Sequence, residues 1–157
     1  MVKPLPPVPP EAWIPYLLRK YQEIGRPIDE AFARALAERT GGHPYCTMVV
    51  ANKVLLVRAV QPELSSHLLL DLAYSAGLED MGNTYDEAYR VLSAPPLCQE
   101  VLLRLAAGEP PYQGEPSIRI KRALAALVDA GHVRRTARGH YTFPDPMFAD
   151  YLRRVKG

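Results

Sequence analysis

The sequence is poor in the residues from which most catalytic and metal centres are built. Its 157 residues hold two cysteines and four histidines. Cys46 and Cys98 lie far apart, without CxxC spacing, and each sits among apolar neighbours in a helical pattern, so both read as buried free thiols. The histidines and cysteines show no metal-ligand spacing, and no metal is expected. His67 and Asp71 stand four residues apart on a leucine-rich helix, which reads as a surface hydrogen bond rather than part of a catalytic triad. No nucleophile constellation emerges elsewhere. Long apolar runs are missing too: none reaches the eighteen or so residues that cross a bilayer, and residues 1–10 lack the apolar centre of a signal peptide. These absences point to a cytoplasmic chain with no membrane partner and no catalytic centre of its own.

What is present suits a folded, mostly helical protein. Hydrophobic residues make up 48% and charged residues 23% of the chain, within the globular range. The net charge of +2 conceals an asymmetry. Residues 1–116 carry 10 Lys and Arg against 14 Asp and Glu, whereas residues 117–157 carry nine against three. A basic C-terminal part suits either a polyanion or an acidic neighbour.

Five prolines within residues 1–10 fix φ and remove donors, which predicts an extended lead-in. From Glu11, Trp13, Leu17, Tyr21 and Ile24 recur at helical spacing until Gly25. A second helix is expected after Pro27, carrying Ile28, Phe32, Ala35 and Leu36, and ending at Gly41-Gly42. The apolar stretch Tyr45 to Val60 is too long for a strand and reads as a buried helix at the centre of the first core. A fourth helix is expected from about Pro62-Glu63, a break between Gly77 and Gly82, and a fifth helix capped by Asn83 or Thr84 and running to Leu92. Pro95-Pro96 is the expected boundary, which gives residues 1–10 as lead-in, 11–93 as a helical domain and 94–157 as a second domain.

The second domain opens with Leu97, Val101, Leu102, Leu105 and Ala106 at helical spacing, closed by Gly108 and a Pro-rich turn. Ser117 then precedes a long helix with Ile118, Ile120, Leu124, Leu127 and Val128 inward. The runs His132 to Thr136 and His140 to Phe143 alternate around Ala137-Arg138-Gly139, a hairpin signal. Met147, Phe148, Tyr151 and Leu152 read as a last short helix. The order helix, helix, hairpin, helix predicts a winged helix-turn-helix. The stretch from Pro110 to Pro116 is too short and too rich in proline for the helix usually found between its first and recognition helices.

Several of these residues match a known pattern. Trp13 with its tyrosine-rich helix, the run Thr40-Gly41-Gly42-His43-Pro44-Tyr45, then Ala123, Leu124, Leu127, Val128, Gly131, Val133 and Arg134, and finally Tyr141, Phe143, Pro146 and Phe148, resemble the C-terminal part of archaeal and bacterial P-loop ATPases of the AAA/STAND type. The resemblance covers nearly the whole chain. It implies a helical lid followed by a winged helix, with Gly42, His43 and Pro44 at the step that packs against adenine; His43 stands where an aliphatic residue is commoner. It also implies a P-loop ATPase domain as partner, with ATP and magnesium held by that parent protein and no cofactor in this chain. No GxxxxGK[ST] occurs in the sequence, and no apolar strand ends in paired carboxylates, so hydrolysis by the chain alone is not expected.

Two other classes of function stay open on the residues themselves. Arg119, Lys121 and Arg122 on the long helix, with Arg134, Arg135 and Arg138 in the hairpin, could approach phosphates if the helix entered a major groove, which makes duplex DNA an alternative partner. Asn, Gln and Ser are scarce on that helix, which weighs against readout of base edges. The same cations could form a docking face for a protein or for a second copy of the chain, the third reading.

Overall fold

A computed structural model describes residues 8–112 and 117–157. Most of the Pro-rich lead-in, and the end of the Pro110 to Pro116 connection, lie outside the described residues. The chain is mainly helical, with eight α-helices among those residues and a small antiparallel hairpin near the C-terminus. Its residues fall into two compact units, which divide between Met81 and Gly82.

The first unit contains four helices in succession: α1 (Pro10–Glu23), α2 (Glu30–Arg39), α3 (Pro44–Val60) and α4 (Ser66–Asp80). Consecutive helices pack on one another, and Leu17, Tyr21, Leu36, Val50, Val54 and Ala73 fill the core between them. Pro15 lies well inside α1, so the Glu11 carbonyl loses its helical partner; Glu11 is exposed, and water can serve instead. Asp29 caps α2 by accepting from the Phe32 N–H at 2.7 Å, so the helix starts at Glu30 and not directly after Pro27. The Tyr21 phenol donates to the Ala51 carbonyl at 2.5 Å, and burial pushes its pKa up, with Arg58 opposing the shift.

Two expectations about this unit are corrected. α4 begins at Ser66 rather than near Pro62-Glu63, because the Ser65 hydroxyl accepts from the Leu68 N–H and supplies the cap. The expected break at Gly77 does not occur. The helix continues to Asp80 with Gly77 buried on its inner face.

The second unit holds α5 (Gly82–Arg90), α6 (Leu97–Ala106), α7 (Ser117–Asp129), β1 (Arg134–Ala137), β2 (His140–Thr142), α8 (Pro146–Tyr151) and a π-helical turn, Leu152–Lys156. α5 packs on α8, α6 on both α7 and the final turn. The double proline Pro95-Pro96, read from the sequence as a boundary, therefore falls inside this unit. Tyr85 explains why: it is buried, its ring lies 5.1 Å from that of Phe148 and 5.5 Å from that of Tyr151, and its hydroxyl donates to Asp145 at 2.8 Å. Ile120, Leu124, Leu127, Val101, Leu102, Val133, Met147 and Leu152 are buried to form the core. The expected hairpin is present, two residues shorter at the start of its first strand and one at the end of its second. Arg135 pairs with Tyr141 and Arg134 with Thr142, and an irregularity follows Arg135. Gly139 takes φ +75°, the left-handed value that closes the turn.

No helix among the described residues is long and apolar enough to cross a membrane. Both cysteines are buried free thiols, and burial pushes the Cys98 pKa up.

Candidate functional site

The residues singled out in the sequence occupy two separate places, one in each unit. In the first, α2 ends with Gly41 at φ +65° and Gly42 at φ +71°, two left-handed residues in succession that turn the chain into α3. The Gly42 backbone is fully engaged. Its N–H donates to the Ala37 carbonyl at 2.9 Å, and its own carbonyl accepts from the Val8 N–H and from the Trp13 indole N–H, both at 3.0 Å. A Cβ on Gly42 would stand 1.8 Å from the Val8 carbonyl oxygen, so only glycine fits.

His43 is half-buried and caps α3, its Nδ1 accepting from the Cys46 N–H at 3.3 Å. That bond requires Nδ1 to be unprotonated, which leaves Nε2 as the only ring position able to offer a hydrogen. Below it the Thr40 and Thr47 hydroxyls meet at 2.7 Å in full burial, and Thr47 also donates to the His43 carbonyl. Pro44 opens α3 at a position where its missing donor costs nothing. Gly42, His43 and Pro44 are thus held rigidly. What they can present to a ligand is the His43 ring and the Pro44 ring face, because the Gly42 amide and carbonyl are already bonded within the unit.

The six cations singled out on α7 and the hairpin do not form one surface. On α7, Ser117, Lys121, Leu124, Ala125 and Val128 share a side that faces the hairpin across a furrow of about 810 Å³, with Arg135 and Arg138 on the far wall. Arg119 and Arg122 lie on another side of the helix, beside Leu97 and Cys98. Arg134 is exposed on β1 and lines neither hollow; it precedes Arg135, and alternation along the strand turns it to the opposite face. Lys121, Arg135 and Arg138 are therefore brought together, and the other three are not.

Their electrostatic setting is distinctive within the unit. Arg90 pairs with Glu87, Arg104 with Glu100, Arg153 and Arg154 with Asp150, and Lys156 with Asp86. Lys121, Arg135 and Arg138, by contrast, make no ion pair among the described residues. The furrow also contains residues that sequence reasoning missed as site residues: Tyr112 and Tyr141 on its walls, and Asp129 as its one carboxylate among the described residues. Tyr141 pairs across the strands with Arg135, while Val128 and Ile118, expected to face inward on α7, are exposed at 37% and 59%, and Val128 lies in the furrow.

No protein-family model matches this sequence, and a comparison with curated proteins finds no similar one. Among solved structures, a Walker-type ATPase of Pyrococcus abyssi is similar at a TM-score of 0.72 and 18% sequence identity, over 97% of this chain and 43% of that one. This chain therefore spans less than half the length of that ATPase. At such identity the likeness concerns the fold.

Proposed function

We propose that this chain is a non-catalytic C-terminal module of a P-loop ATPase, a helical lid followed by a winged helix, which couples the nucleotide state of that ATPase to a partner. The observation that carries the reading is the shared fold: nearly all of this chain is matched by under half of a Walker-type ATPase, while the sequence itself holds no phosphate-binding loop. The remaining half of such a protein has room for the nucleotide-binding domain. The succession α6, α7, hairpin, α8 supports the winged-helix part of the reading.

Gly42, His43 and Pro44 are the proposed adenine-side contact. With the Gly42 backbone consumed internally, the base would stack on Pro44 and meet the His43 edge. The rigid hydrogen bonds beneath them would transmit its presence to α2 and α3 as a shift between two populations of lid arrangement. ATP and magnesium belong to the parent protein in this reading.

The test has two arms. The purified chain should hydrolyse no ATP, and the reading frame immediately upstream of Met1 should carry a GxxxxGK[ST] loop after an apolar strand. Measurable hydrolysis by the chain alone, or a gene with no P-loop in frame or in an adjacent partner, would overturn the proposal. The duplex-DNA reading is weakened by the distribution of the cations, since Arg119 and Lys121 lie on different sides of α7. A steep fall in duplex binding between low and moderate salt would revive it.

A further inference from the structure

We infer that the furrow between α7 and the hairpin is a docking site for an extended acidic peptide segment with aliphatic side chains, supplied by a partner protein. This stands on the furrow alone and does not depend on the ATPase reading. Three features select the occupant.

The first is charge. Lys121, Arg135 and Arg138 converge on the furrow against the single carboxylate of Asp129, and none of the three cations is neutralised among the described residues. Arg153 and Arg154 pair locally with Asp150 and Lys156 with Asp86, whereas these three make no ion pair among the described residues and can meet charge from a partner.

The second is the floor. Ala125 and Val128 form a short exposed aliphatic strip above the buried Leu124, and Val128 keeps 37% of its surface exposed. An aliphatic strip receives Leu, Ile or Val side chains by burial of apolar area. Asp129 would repel a continuous phosphate chain. Tyr112 and Tyr141 on the walls, beside the arginines, complete a composition typical of the energetic centre of protein interfaces. A volume near 810 Å³ is in the range of clefts that enclose a short segment rather than a flat surface patch.

The third is the hairpin itself. With only two strands in its sheet, each strand has one edge unpaired among the described residues. An extended segment can add hydrogen bonds at such an edge. A helical occupant could not use those edges.

The experiment titrates the full chain into a fluorescein-labelled peptide of Asp-Leu-Glu repeats at moderate salt and follows anisotropy. Saturable binding is expected. It should weaken on the order of tenfold for a peptide with Leu replaced by Ser, and by a similar factor in the double variant R135E/R138E. The Arg90→Glu variant, remote from the furrow, should bind like the parent. Val128→Asp places a carboxylate in the floor and should abolish binding, and it carries the test alone if the double variant fails to give the parental thermal melt. Absence of saturable binding would overturn the inference. So would unchanged binding in folded variants, or displacement by oligo-dT or duplex DNA at lower concentration than by unlabelled peptide, which would assign the furrow to nucleic acid.

Discussion

At the scale of single residues, the Gly42 carbonyl ties two distant parts of the first unit together, since the lead-in and α1 both bond to it. Gly42→Ala should lower the stability of that unit by roughly 2 kcal/mol or more, because it forces a left-handed backbone on alanine and a collision with Val8. Trp13→Phe should cost about 1 kcal/mol, the loss of one partner by an acceptor that keeps the other. Urea unfolding monitored by circular dichroism checks both, and equal stability of Gly42→Ala and parent would refute the first. In the second unit, Asp145 accepts from Tyr85 and from the Met147 and Phe148 amides together. Asp145→Ala should therefore cost about 2 to 3 kcal/mol, more than Tyr85→Phe at about 1. The Gly-Gly-His-Pro run was visible in the sequence as the punctuation between two helices. That its carbonyl serves an indole 29 residues earlier was not, because local pattern does not reveal which distant donor a turn will meet.

At the scale of elements, periodicity located every α-helix among the described residues, and it failed at three starts, those of α2, α4 and α5, where Gly82 opens the helix ahead of the expected Asn83 or Thr84 cap, and at the grouping. Tyr85, Ala88 and Leu92 announce a helix with an apolar face; nothing in that spacing says the face belongs with Phe148, sixty residues on. The expected boundary at Pro95-Pro96 rested on proline as punctuation, yet proline ends helices without ending packing. α7 has a divided character of the same kind. Its inner row is buried completely at Ile120 and nearly so at Leu127, and Leu127→Ala should cost about 2 to 5 kcal/mol in thermal or chemical unfolding. Its furrow side should tolerate Ala125→Ser, an exposed change, within about 0.5 kcal/mol. A reversed order of these two costs would mean that the helix is rotated from the arrangement described. His132, packed 5.6 Å from the Phe148 ring at the end of the turn after α7, is half-buried.

For the whole molecule, ionisation sets a pH range of best stability. Burial holds the His132 pKa below its ordinary value, so the unfolded chain takes up that proton first; the stability is fully present above about 6.5 and is lost as pH falls toward the lowered folded value. Asp71 is lowered chiefly by the hydrogen bond from Arg39, and Asp86 chiefly by that from Lys156. Each adds stability that is present above about 4 and lost as pH drops through its lowered folded value. Lys156 is raised, mainly by Asp86, and its contribution is complete below about 10.4 and lost as pH rises through the raised folded value. Melting temperature should hence be flat between about pH 7 and 8.5, falling above it as the unfolded chain releases the Cys98 proton and below it as the unfolded chain takes up the His132 proton, and His132→Gln should delay the acid-side fall. A flat profile down to pH 5 in the parent would count against the buried imidazole. The asymmetry of charge between the two parts of the chain was plain in the sequence, whereas the sorting of the cations into paired and unpaired sets required the fold. One mechanical corollary concerns Val8. Because its amide is tied to the corner between α2 and α3, a pull applied from upstream loads that corner before it can unwind α1, and Trp13 shares the same oxygen as a second mooring.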